Sequence, residues 1–182
     1  MDRKEFLKLG CCAFAFMTSQ AVTPMAHAEG PTNDQRLTFI QNWVTDLMDT
    51  LDHEPDEQTK IRIMTGCGRG CFHRFAWKGE IAEKGKGNVD KLVEALKQNF
   101  EVWREGDSGQ LVHIRYGAKN TYGCYCPAAN YRPGNKHDIH CYCTRAMHAA
   151  IWEAALGRPV PIDILQTVRR GDPTCHFLVR LA

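Results

Sequence analysis

Two Cys-Tyr-Cys triplets, Cys124-Tyr125-Cys126 and Cys141-Tyr142-Cys143, are separated by fourteen residues. A disulfide inside a Cys-x-Cys unit closes a very small, strained ring, so these sulfurs look to distant partners or to a metal ion. Either way the segment between the triplets is fastened at both ends, and the C-terminal half must fold around it. Three more cysteines share the constraint: Cys67 and Cys71, within Gly66-Cys67-Gly68-Arg69-Gly70-Cys71, and Cys175 near the end.

The chain opens Asp2-Arg3-Lys4-Glu5-Phe6-Leu7-Lys8, which resembles the twin-arginine export motif with Lys4 in the second arginine's place. An apolar run from Leu9 to Met17 follows, and Ala26-His27-Ala28 is a small-x-small cleavage site. The run is too short for a permanent membrane span. Leu9-Gly10-Cys11 hints at lipoprotein processing, but the apolar run follows Cys11 instead of preceding it, which argues against an anchor there. The expectation is a signal peptide over 1–28, passage through the twin-arginine machinery, and a periplasmic or otherwise exported domain over 29–182. Removing the signal takes away Cys11 and Cys12 and leaves seven of the nine cysteines. An odd number cannot all pair within one chain. Removal also lowers the formal net charge from +2 to +1, and no basic tract remains to serve a nucleic-acid partner.

Periodicity predicts the elements. Leu37, Ile40, Val44, Leu47, Met48 and Leu51 recur at helical steps, with a cap at Thr32 or Asn33. Pro55 with Asp56 and Glu57 starts a second helix, which the three glycines around Cys67 and Cys71 are expected to bend before Trp77, Gly68 and Gly70 marking either such a bend or a close backbone approach. Residues 78–88 read as a solvated Lys- and Gly-rich loop. Val89, Leu92, Val93, Leu96 and Phe100 mark a third helix. Two strands joined through Gly106-Asp107-Ser108-Gly109 form a hairpin with Val112, Ile114 and Tyr116 on one face. A helix from about His140 to Leu156 and strands over 160–168 and 175–181 complete the chain. The class is α+β: N-terminal helices, then an antiparallel sheet of about four strands with one helix inserted.

Thiolates are soft, negative ligands, so Cys124, Cys126, Cys141, Cys143 and Cys175 are the candidate metal residues, with Zn²⁺ favoured and iron or an iron–sulfur centre as alternatives. A disulfide-stapled loop is the competing reading in an exported protein. Cys67 and Cys71 stand one helical turn apart and suit a redox or disulfide role. His140, adjoining Cys141, and His148, two turns further on, are possible auxiliary ligands. His176 also adjoins a cysteine. Asp138 and the other turn aspartates read as local backbone partners, and no residue is assigned a catalytic role.

From Cys124 onward the pattern runs Cys-Tyr-Cys-Pro, His-Cys-Tyr-Cys, Trp152, Gly157-x-Pro-Val160 and Arg170-Gly171-Asp172-Pro173-x-Cys175-x-Phe177. This resembles the L-2-amino-thiazoline-4-carboxylic acid hydrolase family, whose exported members also carry a Gly-Arg-x-Cys segment like the one at Cys71. The C-terminal part is similar to 4-vinyl-reductase-type domains. That likeness implies a small-molecule pocket and a zinc site whose first and last ligands fall on Cys141 and Cys175. The other two ligand positions of those sensors fall on Ile164 and Thr167, so a metal here needs other sulfurs. The function implied is metal-dependent binding or sensing of a small molecule. Hydrolysis of a thiazoline-type C–N bond is the first alternative, and thiol redox chemistry the second.

Overall fold

The computed structural model describes residues 32–116, Cys124, Cys126, Ala129 and 132–181, so the segment expected to be a signal peptide lies outside the described residues. Helix α1 (Asn33–Asp52) begins at Thr32 in a capping box with Gln35, and α2 (Glu57–Arg74) at Asp56, whose carboxylate takes the Gln58 and Thr59 N–H groups. Helices α3 (Ala76–Lys84) and α4 (Val89–Leu96) follow. The hairpin β1 (Glu101–Glu105) and β2 (Leu111–Arg115) leads to α5 (His140–Leu156), which stops at left-handed Gly157. Strand β3 (Ile162–Gln166), a 3₁₀ turn (Val168–Arg170) and β4 (His176–Arg180) close the described chain. The sheet order is β1-β2-β4-β3 with every pair antiparallel. The α+β expectation, with one helix inserted between hairpin and final strands, therefore holds.

The core lies between one face of this sheet and the helices. Val112, Ile114, Phe177 and Val179 meet Ile151 and Trp152 of α5 and Leu92 and Leu96 of α4, all essentially without solvent exposure. Each such side chain contributes roughly 1.5–3 kcal/mol of burial free energy.

Four local expectations are corrected. The glycines do not bend α2, which runs unbroken from Glu57 to Arg74. Only Gly68 faces α5, and there a Cβ would lie 2.3 Å from the Cys143 carbonyl oxygen, so close helix packing outweighs poor helix propensity. Residues 78–84 are helix, not loop, because Lys78, Ile81 and Ala82 share a buried side. Strand β3 ends at Gln166, since Thr167 turns its side chain to accept the Arg170 N–H and starts the 3₁₀ turn. Finally, the apolar stripe of α1 is mostly uncovered: Leu37, Ile40, Trp43 and Leu47 are exposed, and only its last turns dock, through Met48 against Met64 and Ile139.

A buried ionic network fixes the start of α5. Asp138 accepts from Arg132 Nη2 (3.0 Å) and Arg169 Nε (2.7 Å), and its second oxygen takes the His140 N–H (2.8 Å). Arg132 also reaches Asp49 and Asp52 of α1, and Asp52 in turn takes Asn135 and the Ile139 N–H. The turn role expected for Asp138 is thus only part of its work, because both of its arginine partners are buried with it. Burial alone would raise the Asp52 carboxyl, but the bonds from Arg132, Asn135 and Ile139 outweigh it and hold it below the ordinary aspartate range. A depressed folded-state value means that this carboxylate stabilises the fold above the unfolded value. The contribution is lost as pH falls through the folded one. Stability followed by circular dichroism is expected to drop below about pH 4, and Asp52→Asn should flatten that acid limb while lowering stability at neutral pH.

Candidate metal and thiol site

Cys141 is the second residue of α5 and is buried, its sulfur hydrogen-bonded to the Thr167 side chain. Cys175 precedes β4 on the inner face, and its sulfur takes the N–H of Val168. The helix start and the last strand therefore deliver two sulfurs to one backbone step, Thr167–Val168. Cys124, whose sulfur takes the Cys126 N–H, bears electrostatically on both. Burial pushes the Cys141 thiol up to about 12, with the neighbouring sulfurs of Cys175 and Cys124 adding to it. Burial raises Cys175 and Cys124 in the same direction.

The other member of each triplet turns elsewhere. Residues two apart on a helix point to nearly opposite sides, so Cys143 faces α2 while Cys141 faces the 3₁₀ turn. The sulfurs of Cys126, Cys71 and Cys67 all bear on Cys143, whose thiol burial pushes up to about 12. Cys126 lies 3.1 Å from His140 Nε2. The five candidate metal cysteines thus fall into two groups, Cys124, Cys141 and Cys175 in one and Cys126 and Cys143 in the other, with Cys67 and Cys71 beside the second. Cys124, Cys141, Cys143 and Cys175 are not joined in disulfides.

The auxiliary histidines stand apart from the first group. His148 is wholly buried in the core among Phe100, Tyr116 and Phe177, and its Nε2 lies 2.7 Å from the Tyr116 hydroxyl. Burial drives its pKa down to about 3, so it stays neutral. His176 takes the opposite face of the sheet from Cys175, as strand alternation requires, where it meets His113 at 2.8 Å. Among the described residues no three His, Cys, Asp or Glu side chains stand in formed metal-ligating geometry. The donor chemistry of Cys124, Cys141 and Cys175 suits a soft divalent ion, whereas the spacing is not that of a completed site.

A groove of about 330 Å³ runs between α2, α5 and β3 beside Arg69, Arg145 and Glu153, and another of about 390 Å³ lies beside Lys84, Asp90 and Glu94. Neither is lined by a cysteine. Among the described residues no helix is long and apolar enough to cross a membrane.

Residues 19–181 match a family described as "Family of unknown function (DUF6144)". The chain belongs to the DUF6144 family. No curated protein matches it. Among solved structures, the DUF6144 chain is similar to a trafficking protein particle complex subunit 3 from Naegleria fowleri, covalently bound to palmitic acid. The TM-score is 0.50 at 14% identity, covering 81% of this chain and 93% of that one. It is also similar to the phenol-responsive sensory domain of the transcription activator PoxR with phenol (TM-score 0.39, 13% identity, 74% and 72% covered). A third is a vinyl-4-reductase family protein from Methanocaldococcus jannaschii (TM-score 0.34, 12% identity, 79% and 80% covered). At these identities the likeness concerns the fold alone.

Proposed function

We propose that this DUF6144 protein is an exported, cysteine-rich binding protein that holds a soft metal ion, Zn²⁺ in the first place, through Cys124, Cys141 and Cys175. The observation that carries the reading is the delivery of Cys141 and Cys175 to the same step, Thr167–Val168, with Cys124 in electrostatic reach of both. Three desolvated thiols that disfavour one another's charge are the groups a divalent cation would relieve, and soft sulfur donors select for such an ion. The ion fastens the loop, the helix start and the last strand together, and three thiolates leave one position of a tetrahedral ion for a further ligand. The signal-like N-terminus supports export, and twin-arginine passage suits a protein that acquires its metal before translocation.

Elemental analysis of the processed protein recovered from its host compartment tests this. About one zinc per chain is expected, lost in Cys141→Ser and in Cys175→Ser but retained in Cys67→Ser. Absence of metal, or retention by both serine variants, overturns the proposal. Because burial holds the Cys141 thiol up to about 12, a bound ion must displace its proton. Apparent zinc affinity, measured by competition with a chromophoric chelator, should therefore rise with pH, by about tenfold per unit for each proton displaced. Turnover of an aminothiazoline carboxylate by the wild-type protein would instead favour the hydrolase reading.

A further inference from the structure

Lys78 is 4% exposed, yet among the described residues its ammonium meets no carboxylate. It donates to Cys71 Sγ (2.8 Å) and to the Cys71 carbonyl (3.0 Å), and it lies over the rings of Phe75 (4.4 Å) and Trp77 (5.3 Å). A buried ammonium is costly unless a counter-charge stands beside it. In this set only the sulfur can carry one. Lys78 is fixed to the task by the backbone, since α3 places it seven residues after Cys71, directly beneath the last turn of α2.

A second sulfur is brought to the same turn. Gly68 lies between Cys67 and Cys71, and the missing side chain lets the α5 backbone at Cys143 rest on α2, with Ala146 and Met147 alongside. The Cys143 backbone consequently rests on the α2 turn between Cys67 and Cys71, and after Cys126 the sulfur that bears most on the Cys143 thiol is that of Cys71. Cys67 shares that turn but is exposed.

We infer that Cys71 is the attacking sulfur, and Cys143 the resolving sulfur, of a dithiol that exchanges with small-molecule disulfides of the glutathione type. This goes beyond the metal reading and uses none of its three sulfurs. Cys71 sulfur attacks one sulfur of R–S–S–R, the Cys71–S–S–R bond forms, and R–S⁻ leaves to take a proton from solvent. Cys143 then gives up its proton and attacks the Cys71 sulfur, forming the Cys71–Cys143 disulfide and releasing the second R–SH. The protein is oxidised by two electrons and the small disulfide is reduced by two. Lys78 donates directly to the Cys71 sulfur, whereas it acts on Cys143 through electrostatics alone and against the larger effect of burial, and this is the asymmetry such exchange requires.

The test uses the reduced, processed protein with limiting iodoacetamide, and separately with oxidised glutathione, mapped by peptide mass spectrometry. Cys71 is expected to alkylate about tenfold faster than the more exposed Cys67, and Lys78→Met to remove most of that advantage while Lys78→Arg restores it. With oxidised glutathione, wild type should end as a Cys71–Cys143 disulfide, and Cys143→Ser should stop at the glutathionyl adduct on Cys71. Equal or faster reaction at Cys67, or a disulfide mapped to another pair, overturns the inference. So does a folded Lys78→Met variant with an unchanged Cys71 rate. Should Lys78→Met fail to fold by circular dichroism, the wild-type ranking and the Cys143→Ser adduct decide alone. Zinc content, which depends on the other three sulfurs, reports separately on the metal reading.

Discussion

Gly68→Ala is expected to destabilise the protein by about 3 kcal/mol or more, at the upper end of what overpacking costs. The added methyl would stand 2.3 Å from the Cys143 carbonyl oxygen, 2.6 Å from Ala146 Cβ and 2.9 Å from the Met147 nitrogen. Two of those three atoms are backbone, so no rotamer change relieves the clash, and α2 must move bodily away from α5. The neighbouring glycines supply the control. A Cβ at Gly66 meets nothing within 4 Å, and at Gly70 the nearest atom is an Arg74 guanidinium nitrogen at 3.9 Å. Both lie inside a helix, where alanine is favoured over glycine by roughly 0.5–1 kcal/mol. Urea unfolding should therefore show Gly66→Ala and Gly70→Ala as neutral or stabilising and Gly68→Ala as strongly destabilising. Three equal effects would mean that helix propensity, and not the approach of α5, sets the requirement.

How far this was readable from the chain depends on the range of the physics involved. The bounds of α5, the hairpin and the inward run Cys175, Phe177, Val179, Leu181 follow from local period and turn chemistry, and the structure agrees with them. The close approach at the glycine-rich segment was legible too, but not which glycine made it, since that depends on where α5 crosses. Helix α3 was hidden because Lys78 reads as a solvent-facing residue, and its burial rests on contacts with Cys71 and the Phe75 and Trp77 rings that the local pattern does not announce. The division of the triplets was available in principle: a Cys-x-Cys unit opening a helix must present its sulfurs to different sides. The partners of Asp138 were not available, because Arg169 lies thirty-one residues away along the chain and nothing local marks either residue as buried.

That carboxylate is the place where one atom's worth of chemistry should matter most. Asp138→Ala leaves two guanidinium groups buried without their shared acceptor, and breaking a buried pair from one side costs about 3–5 kcal/mol. Arg132 keeps Asp49 and Asp52, whereas Arg169 keeps, among the described residues, only the carbonyls of Ala129, Arg132 and Pro133. The uncompensated charge therefore falls mainly on Arg169. Asp138→Asn preserves shape and the helix-start contact, so it should fall between wild type and alanine in denaturant midpoint. Adding Arg169→Met to Asp138→Ala removes the stranded charge and should recover part of the loss, giving non-additive energies in a double-mutant cycle. Arg169 itself belongs to the 3₁₀ turn that Thr167 caps, so Asp138→Ala, which takes away its carboxylate, loosens that turn. Cys141 and Cys175 meet at that turn, so zinc retention should weaken along the same order as stability: wild type, Asn, the double variant, Ala. If zinc content stays constant while stability falls, the clamp and the sulfur site are independent, and the placement of Cys141 owes nothing to Asp138.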